Sequence, residues 1–198
     1  MEAAHFEKHG TTAQMSEQQL LDCSDMLSDG CKGGWYDHAW YYVRLKGGIL
    51  TQAKYPYAGR MHIGHCMVFW YGDNDHRWFS KVNGCHGGPN LHGILEPSYC
   101  RSHGKVGDEA VLKTMLNDRP VAVAVDASSF QFYSSGILNC GSFHSLNHAV
   151  FAVGYESNSH WIIKNSWGTS WGESGYVRIG MGGNPCGVAD YPAYAIAA

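Results

Sequence analysis

Apolar residues recur at helical spacing over much of the first third of the chain, whereas beyond residue 120 they gather into short continuous runs. Residues 2–9 read as the end of a helix closed by Gly10. The segment Ser16-Glu17-Gln18-Gln19-Leu20-Leu21-Asp22-Cys23 predicts a short helix, with Ser16 as N-cap and Gln19 at the capping-box position. Residues 33–45 predict a second, aromatic-rich helix ended by Gly47-Gly48. From 56 to 107 the pattern is loop-like, rich in Gly, His and Asn, and its length implies a large insertion. Residues 108–116 predict a helix and Val121–Val125 a buried strand. Further strands are expected at 149–155, 161–164 and 175–179. Helix and loop first, strand afterwards, predicts two lobes with a boundary near Lys105. Repeats and low-complexity tracts are absent.

Composition narrows the function classes. The 198 residues make one ordinary domain or two small lobes, and 44% hydrophobic with 13% aromatic residues is enough for a packed core. A net charge of −3 gives no basic footprint for nucleic acid and no polybasic membrane patch. The longest apolar runs fall far short of a membrane span. The opening Met1-Glu2-Ala3-Ala4-His5-Phe6 has neither a basic start nor an apolar stretch, so no signal peptide is visible. Seven cysteines, at 23, 31, 66, 85, 100, 140 and 186, are scattered without a CxxC pair. That argues for disulfides and an oxidising compartment rather than a zinc ribbon. The odd number leaves one thiol free or bonded outside the chain.

The candidate chemistry lies at His148 and Asn165, near the ends of two neighbouring strand-like runs. Adjacent antiparallel strands can bring such positions side by side. An amide oxygen can then accept from one ring nitrogen of the histidine, and the other nitrogen is left to deprotonate a thiol or hydroxyl. Trp167 is placed to cover that hydrogen bond. Taken alone, the pair reads better as a satisfied barrel histidine and a turn residue.

The surrounding residues change that balance. Asn147-His148-Ala149-Val150, Lys164-Asn165-Ser166-Trp167-Gly168 and Trp171-Gly172-Glu173-Ser174-Gly175-Tyr176 resemble the papain-like cysteine peptidases. So do the Ser16–Cys23 segment, Gly30-Cys31-Lys32-Gly33-Gly34, Tyr55-Pro56-Tyr57, Phe130-Gln131-Phe132-Tyr133-Ser134-Ser135-Gly136-Ile137 and Cys186-Gly187-Val188-Ala189. The motifs come in the family's order, span most of the chain, and are nearest in flavour to the cathepsin L branch. The resemblance implies an α+β papain-like fold with a helical left lobe, incomplete in this chain, over 1–104. A β-barrel right lobe over 105–198 would carry the catalytic His148 and Asn165, and a cleft between the lobes would take a peptide or protein substrate. No cofactor or metal is expected. Cystatin-like or propeptide inhibitors are implied as partners, and a lysosomal or extracellular location.

By the same resemblance, Gly33 and Gly34 would pair with extended substrate. Trp35, Tyr36 and Ala149 would line the main specificity pocket, with Asp190 or Tyr191 at its floor, and Asn147 would contact the substrate. The implied disulfides are Cys23–Cys66, Cys140–Cys186 and Cys85–Cys100, although Cys100 competes for Cys23. Cys31 is left as a free thiol, because its usual partner stands just before the nucleophile. The Cys-Gly-Ser-Cys-Trp type of segment is absent from the chain. Nucleophile, oxyanion glutamine, propeptide and signal peptide would then lie upstream of Met1, and the chain alone would be inactive. A natural pseudopeptidase that binds peptides without cutting them, or a fragment completed by another chain, are the alternatives. So is a serine nucleophile. Residues 60–104 depart from the family, with histidines at 62, 65, 76, 86, 92 and 103. Their spacing matches no common zinc pattern, so a disulfide-pinned loop is expected, or else a histidine-bearing flap as in the cathepsin B branch.

Overall fold

The structure, a computed structural model, describes residues 1–24, 29–46, 48–62, 106–141 and 145–196, together with the backbone of strands at 91–93 and 99–102. The chain divides into two compact units. One comprises Met1–Gly84, Ile94–Tyr99 and Ala195–Ala198, the other Cys85–Gly93 and Cys100–Tyr194.

The first unit is built on helices α1 (Glu2–His9), α2 (Glu17–Cys23) and α3 (Tyr36–Leu45). Gly10 closes α1 in the left-handed region at φ 68°, where glycine alone carries no steric cost, and its N–H donates to the Phe6 carbonyl at 2.8 Å. Ser16 caps α2 by accepting from the Gln19 N–H at 3.0 Å. The capping box expected with Gln19 does not form, because the Ser16 N–H already donates to the Leu50 carbonyl. Gln19 turns inward instead. Its Oε1 accepts from the Leu50 N–H at 2.7 Å, and its Nε2 donates to the Tyr42 hydroxyl at 3.3 Å. Helix α3 begins at Tyr36 rather than at Gly33, since Gly33 sits at φ 109°, ψ −174° and cannot join a helix.

Asp22, buried at the end of α2, is the polar anchor of this unit. It accepts from the Gln18 amide (2.8 Å), the Tyr55 hydroxyl (2.9 Å) and the His62 N–H (2.7 Å), and the His62 ring lies 3.1 Å away. Burial pushes the carboxyl up, but the hydrogen bonds from His62, Tyr55 and Gln18 outweigh it and hold it below the usual carboxylate value. Through these bonds residues 55–62 are tied back onto α2.

The second unit is a mixed eight-stranded sheet with helix α4 (Glu109–Asp118) against it. In order of pairing the strands run β1 (Leu91–Gly93), β2 (Tyr99–Ser102), β8 (Ala193–Ala195), β3 (Val121–Val125), β5 (His148–Glu156), β6 (His160–Lys164), β7 (Tyr176–Gly180) and β4 (Ile137–Leu138). The pairs β1–β2, β8–β3, β3–β5, β5–β6 and β6–β7 are antiparallel, and β4 joins β7 in parallel. Asp108 caps α4 through the N–H groups of Ala110 and Val111, and Leu112 and Met115 bury its inner face. The loop expected over 56–107 holds the antiparallel pair β1–β2. Gly, His and Asn conceal such a pair because a backbone ladder needs no apolar alternation. Strands β4 and β8 carry no sequence signal either; at two and three residues they are too short to show a period. Cys140 and Cys186 are joined by a disulfide, Cys23 is disulfide-bonded, and Cys31 is a free, exposed thiol. Cys66 and Cys85, and the side chain of Cys100, lie outside the described residues. Among the described residues no helix is long and apolar enough to cross a membrane.

At the β7 end of the sheet Glu173 grips Arg178 with both carboxylate oxygens and accepts from the Gly136 N–H at 2.9 Å. The Arg178 guanidinium, then the Gly136 N–H, pull the Glu173 carboxyl from its ordinary 4.5 down to about 2. A depressed carboxyl stabilises the fold fully above 4.5, and that stability is lost as the pH falls towards about 2. Glu173→Gln should therefore melt a few degrees below the parent near neutral pH, and the gap should close as the pH approaches 2. Paired thermal melts across that range decide the point. A gap independent of pH would show that the carboxylate charge is not what holds the turn.

Candidate active site

His148 is the first residue of β5 and lies opposite Val125, the last residue of β3. On its other side β5 meets β6 with Phe151 opposite Lys164 and Ala152 opposite Ile163. Carried one rung outward, that register sets Asn165 opposite Val150. His148, two residues before Val150, points to the same face. The bulge between Ala152 and Gly154 lies further along and leaves this end of the ladder undisturbed. The two side chains meet, with His148 Nε2 2.8 Å from Asn165 Oδ1.

The amide's orientation is set independently of the histidine. The Ser166 backbone N–H, which can only donate, lies 2.8 Å from the same Asn165 Oδ1. Flipping the amide would set two donors against each other. Oδ1 is therefore the acceptor for both neighbours, His148 Nε2 must carry its proton, and Nδ1 of the neutral ring keeps its lone pair. Asn165 is only 7% exposed, so this bond is sheltered from competing water. Its Nδ2 is buried without an acceptor among the described residues.

Aromatic rings complete the setting. Trp167, 42% exposed, lies over His148 with ring centroids 5.1 Å apart and a tilt of 32°. Phe130 meets the His148 ring edge-on at 6.4 Å and the Trp167 ring at 6.2 Å. Trp171 stacks on Phe130 at 5.8 Å, donates its indole N–H to the Phe130 carbonyl at 3.0 Å, and meets Trp167 at 5.3 Å. Sequence assigns no role to Phe130 or Trp171. The dense aromatic content of 130–133 and 167–171 is the one signal there, but no periodicity joins two segments so far apart.

Other residues singled out from sequence fall in two groups. Gly33, Gly34, Trp35 and Tyr36 belong to the first unit, where Trp35 is exposed and meets Tyr36 edge-on at 6.2 Å. Asn147, Ala149 and Tyr191 belong to the second. The Asn147 side chain is engaged locally, accepting from the Ala127 N–H at 2.9 Å. Ala149 is exposed and, by strand alternation, on the face opposite His148. Tyr191 is half-buried after Asp190, which accepts from Asn184 at 2.7 Å. Among the described residues no His, Cys, Asp and Glu cluster that could hold a metal occurs. His62 belongs to the Asp22 network, only the backbone of His92 is described, and His65, His76, His86 and His103 lie outside the described residues.

A histidine with a fixed tautomer, a buried amide orienting it and an indole alongside are thus brought together at one end of the β5–β6 ladder. The chain belongs to the papain family of cysteine proteases, whose family model matches residues 1–196. It is 40% identical over 208 residues to digestive cysteine proteinase 1 of Homarus americanus, covering 98% of this chain and 56% of that protein. With a cathepsin L-like peptidase of Aedes aegypti it shares 37% over 205 residues, 98% of this chain and 54% of that one. The chain thus spans about half the length of these curated relatives. Among solved structures, bromelain from Ananas comosus in complex with the E64 inhibitor superposes with a TM-score of 0.76 at 33% identity, covering 98% of this chain and 83% of that one. The fold is accordingly papain-like.

The aromatic support predicts a sharp contrast between neighbours. Phe130 is fully buried and Phe132 is 81% exposed. Phe130→Ala should cost about 3–5 kcal/mol through lost contacts and a cavity. Phe132→Ala should fall within about 0.5 kcal/mol of the parent. Urea unfolding of both variants measures this, and similar losses at the two positions would contradict the packing described.

Proposed function

We propose that this chain carries the base and orienting groups of a cysteine-type endopeptidase. The observation that carries the reading is the 2.8 Å contact between His148 and Asn165, with the amide pinned by the Ser166 N–H. In this mechanism Nδ1 of His148 takes the proton of a thiol, the thiolate attacks the peptide carbonyl, and the resulting imidazolium returns the proton to the leaving amine. Asn165 holds the ring in the productive tautomer through both steps, and Trp167 shelters the bond between them. The thiol and the oxyanion donors come from residues outside the 198 of this chain. Family membership, and the absence of a Cys-Gly-Ser-Cys-Trp type of segment from the chain, support that division of labour.

The substrate is an extended peptide. Beside His148 it contacts Asn147, Ala149 and Tyr191, with a bulky apolar side chain before the cut. Propeptide-type or cystatin-like inhibitors would occupy the same surface. The disulfide chemistry of the chain favours a lysosomal or extracellular setting.

Two measurements test the reading. The purified chain should not hydrolyse a dipeptidyl fluorogenic substrate above background. Clear hydrolysis that survives thiol alkylation would sink the mechanism. When a segment bearing the family's nucleophile is supplied, turnover should appear, and Asn165→Ala should then lower kcat by roughly ten- to a hundredfold with little change in KM. A loss confined to KM would remove Asn165 from the catalytic machinery.

A further inference from the structure

We propose that Asp126 is a positioning residue for His148, a single carboxylate that sets the place of the imidazole against the ring packed on it. In its catalytic consequence the proposal rests on the reading of His148 as the base. β3 and β5 leave the sheet side by side at Val125 and His148, so beyond that rung no strand ladder holds either arm. One arm, 126–130, delivers Phe130, whose ring meets the edge of His148. The other, 145–147, delivers His148 itself.

Asp126 bridges the two arms. Its Oδ1 accepts from the Ser128 N–H at 3.0 Å and from the Ser128 hydroxyl at 2.5 Å. Its Oδ2 reaches across to the Ser145 N–H at 2.9 Å. Asn147 adds a second tie: its N–H donates to the Val125 carbonyl at 3.0 Å and its Oδ1 accepts from the Ala127 N–H. The backbone of Asp126 is anchored in turn, because its N–H donates to the Cys186 carbonyl at 2.8 Å and Cys186 is bonded to Cys140. Three donors converge from two directions, and only an acceptor-only fork satisfies them all. An amide at this position would turn its own N–H₂ towards one of those donors and release either Ser128 or Ser145. Such a release shifts His148 relative to Phe130 and Asn165 without touching either of them.

The test reads the His148 ring directly and does not depend on turnover. Ring-nitrogen NMR of the chain should show one tautomer, protonated at Nε2. Asp126→Asn should give a mixture of tautomers and faster exchange of the Nε2 proton with water. Glu109→Gln serves as the control. Glu109 holds the Trp161 indole and the Gly182 N–H elsewhere in the same unit, and its loss should leave the tautomer unchanged. In protein supplied with the nucleophile segment, Asp126→Asn should lower kcat about ten- to a hundredfold and leave KM within about twofold. An unchanged tautomer in Asp126→Asn overturns the proposal, and so does equal mixing in Glu109→Gln. If Asp126→Asn does not fold, Asn147→Ala reads the same tie from the other arm, and an unchanged tautomer there also overturns it. Tautomer mixing in a protein that never turns over leaves the positioning role standing and removes the peptidase reading. Normal turnover with an unchanged tautomer removes the positioning role alone.

Discussion

β5 runs against β6 with Phe151 facing Lys164, and a slip of one residue in that pairing would turn every side chain of one strand to the opposite face. His148 and Asn165 would then point away from each other. The register is held by what lies behind them on the same face: Val150 and Ala152 on one strand, Trp161 and Ile163 on the other, all buried. The hydrophobic effect thus specifies the pairing, and the pairing aligns two polar groups at the rim of the buried face. The polar contact contributes little to choosing the register and depends on it entirely.

The two units solve the problem of buried polarity differently. In the first, Asp22 and Gln19 are buried and satisfied by donors and acceptors from distant parts of the chain, so the network itself ties 42–62 to α2. A half-satisfied network of this kind would be worse than an apolar core. In the second, the core is apolar and aromatic, and polar groups gather at its edges: Glu173 with Arg178 beside β7, Asp126 between two loop arms, Asn165 against His148. Rings are suited to that margin because they bury a large area and can still meet a titratable group edge-on or face-on.

Much of the fold is legible in the sequence. Val121–Val125, five consecutive apolar residues, reads as a strand buried on both faces, and it is one. Ser16 announces a helix start, since a short side-chain oxygen before an apolar period is what an orphaned N–H requires. That the His148 and Asn165 side chains meet is legible from the motifs around them rather than from their spacing alone. Less is visible where the signal is not a period. Strands β1, β2, β4 and β8 are two to four residues long and make ladders from backbone alone. Gly33 suits a helix by its place beside an aromatic-rich period, yet its positive φ is a property of the turn it closes.

Sequence alone determined the order of the four helices and of strands β3, β5, β6 and β7, the family, and the chemical kinds of residue available at the site, because period, capping chemistry and motif are local properties of the chain. Only the tertiary structure decided where Gln19 and Asp126 send their oxygens, which rings pack on His148, and which nitrogen of that ring carries its proton. These depend on groups that approach from positions scattered along the chain, among them Leu50, Ser145, Phe130 and the Ser166 N–H. A hydrogen bond or a ring contact of that sort has no period and no fixed offset, so it comes into being only when the chain has folded and the partners arrive within reach.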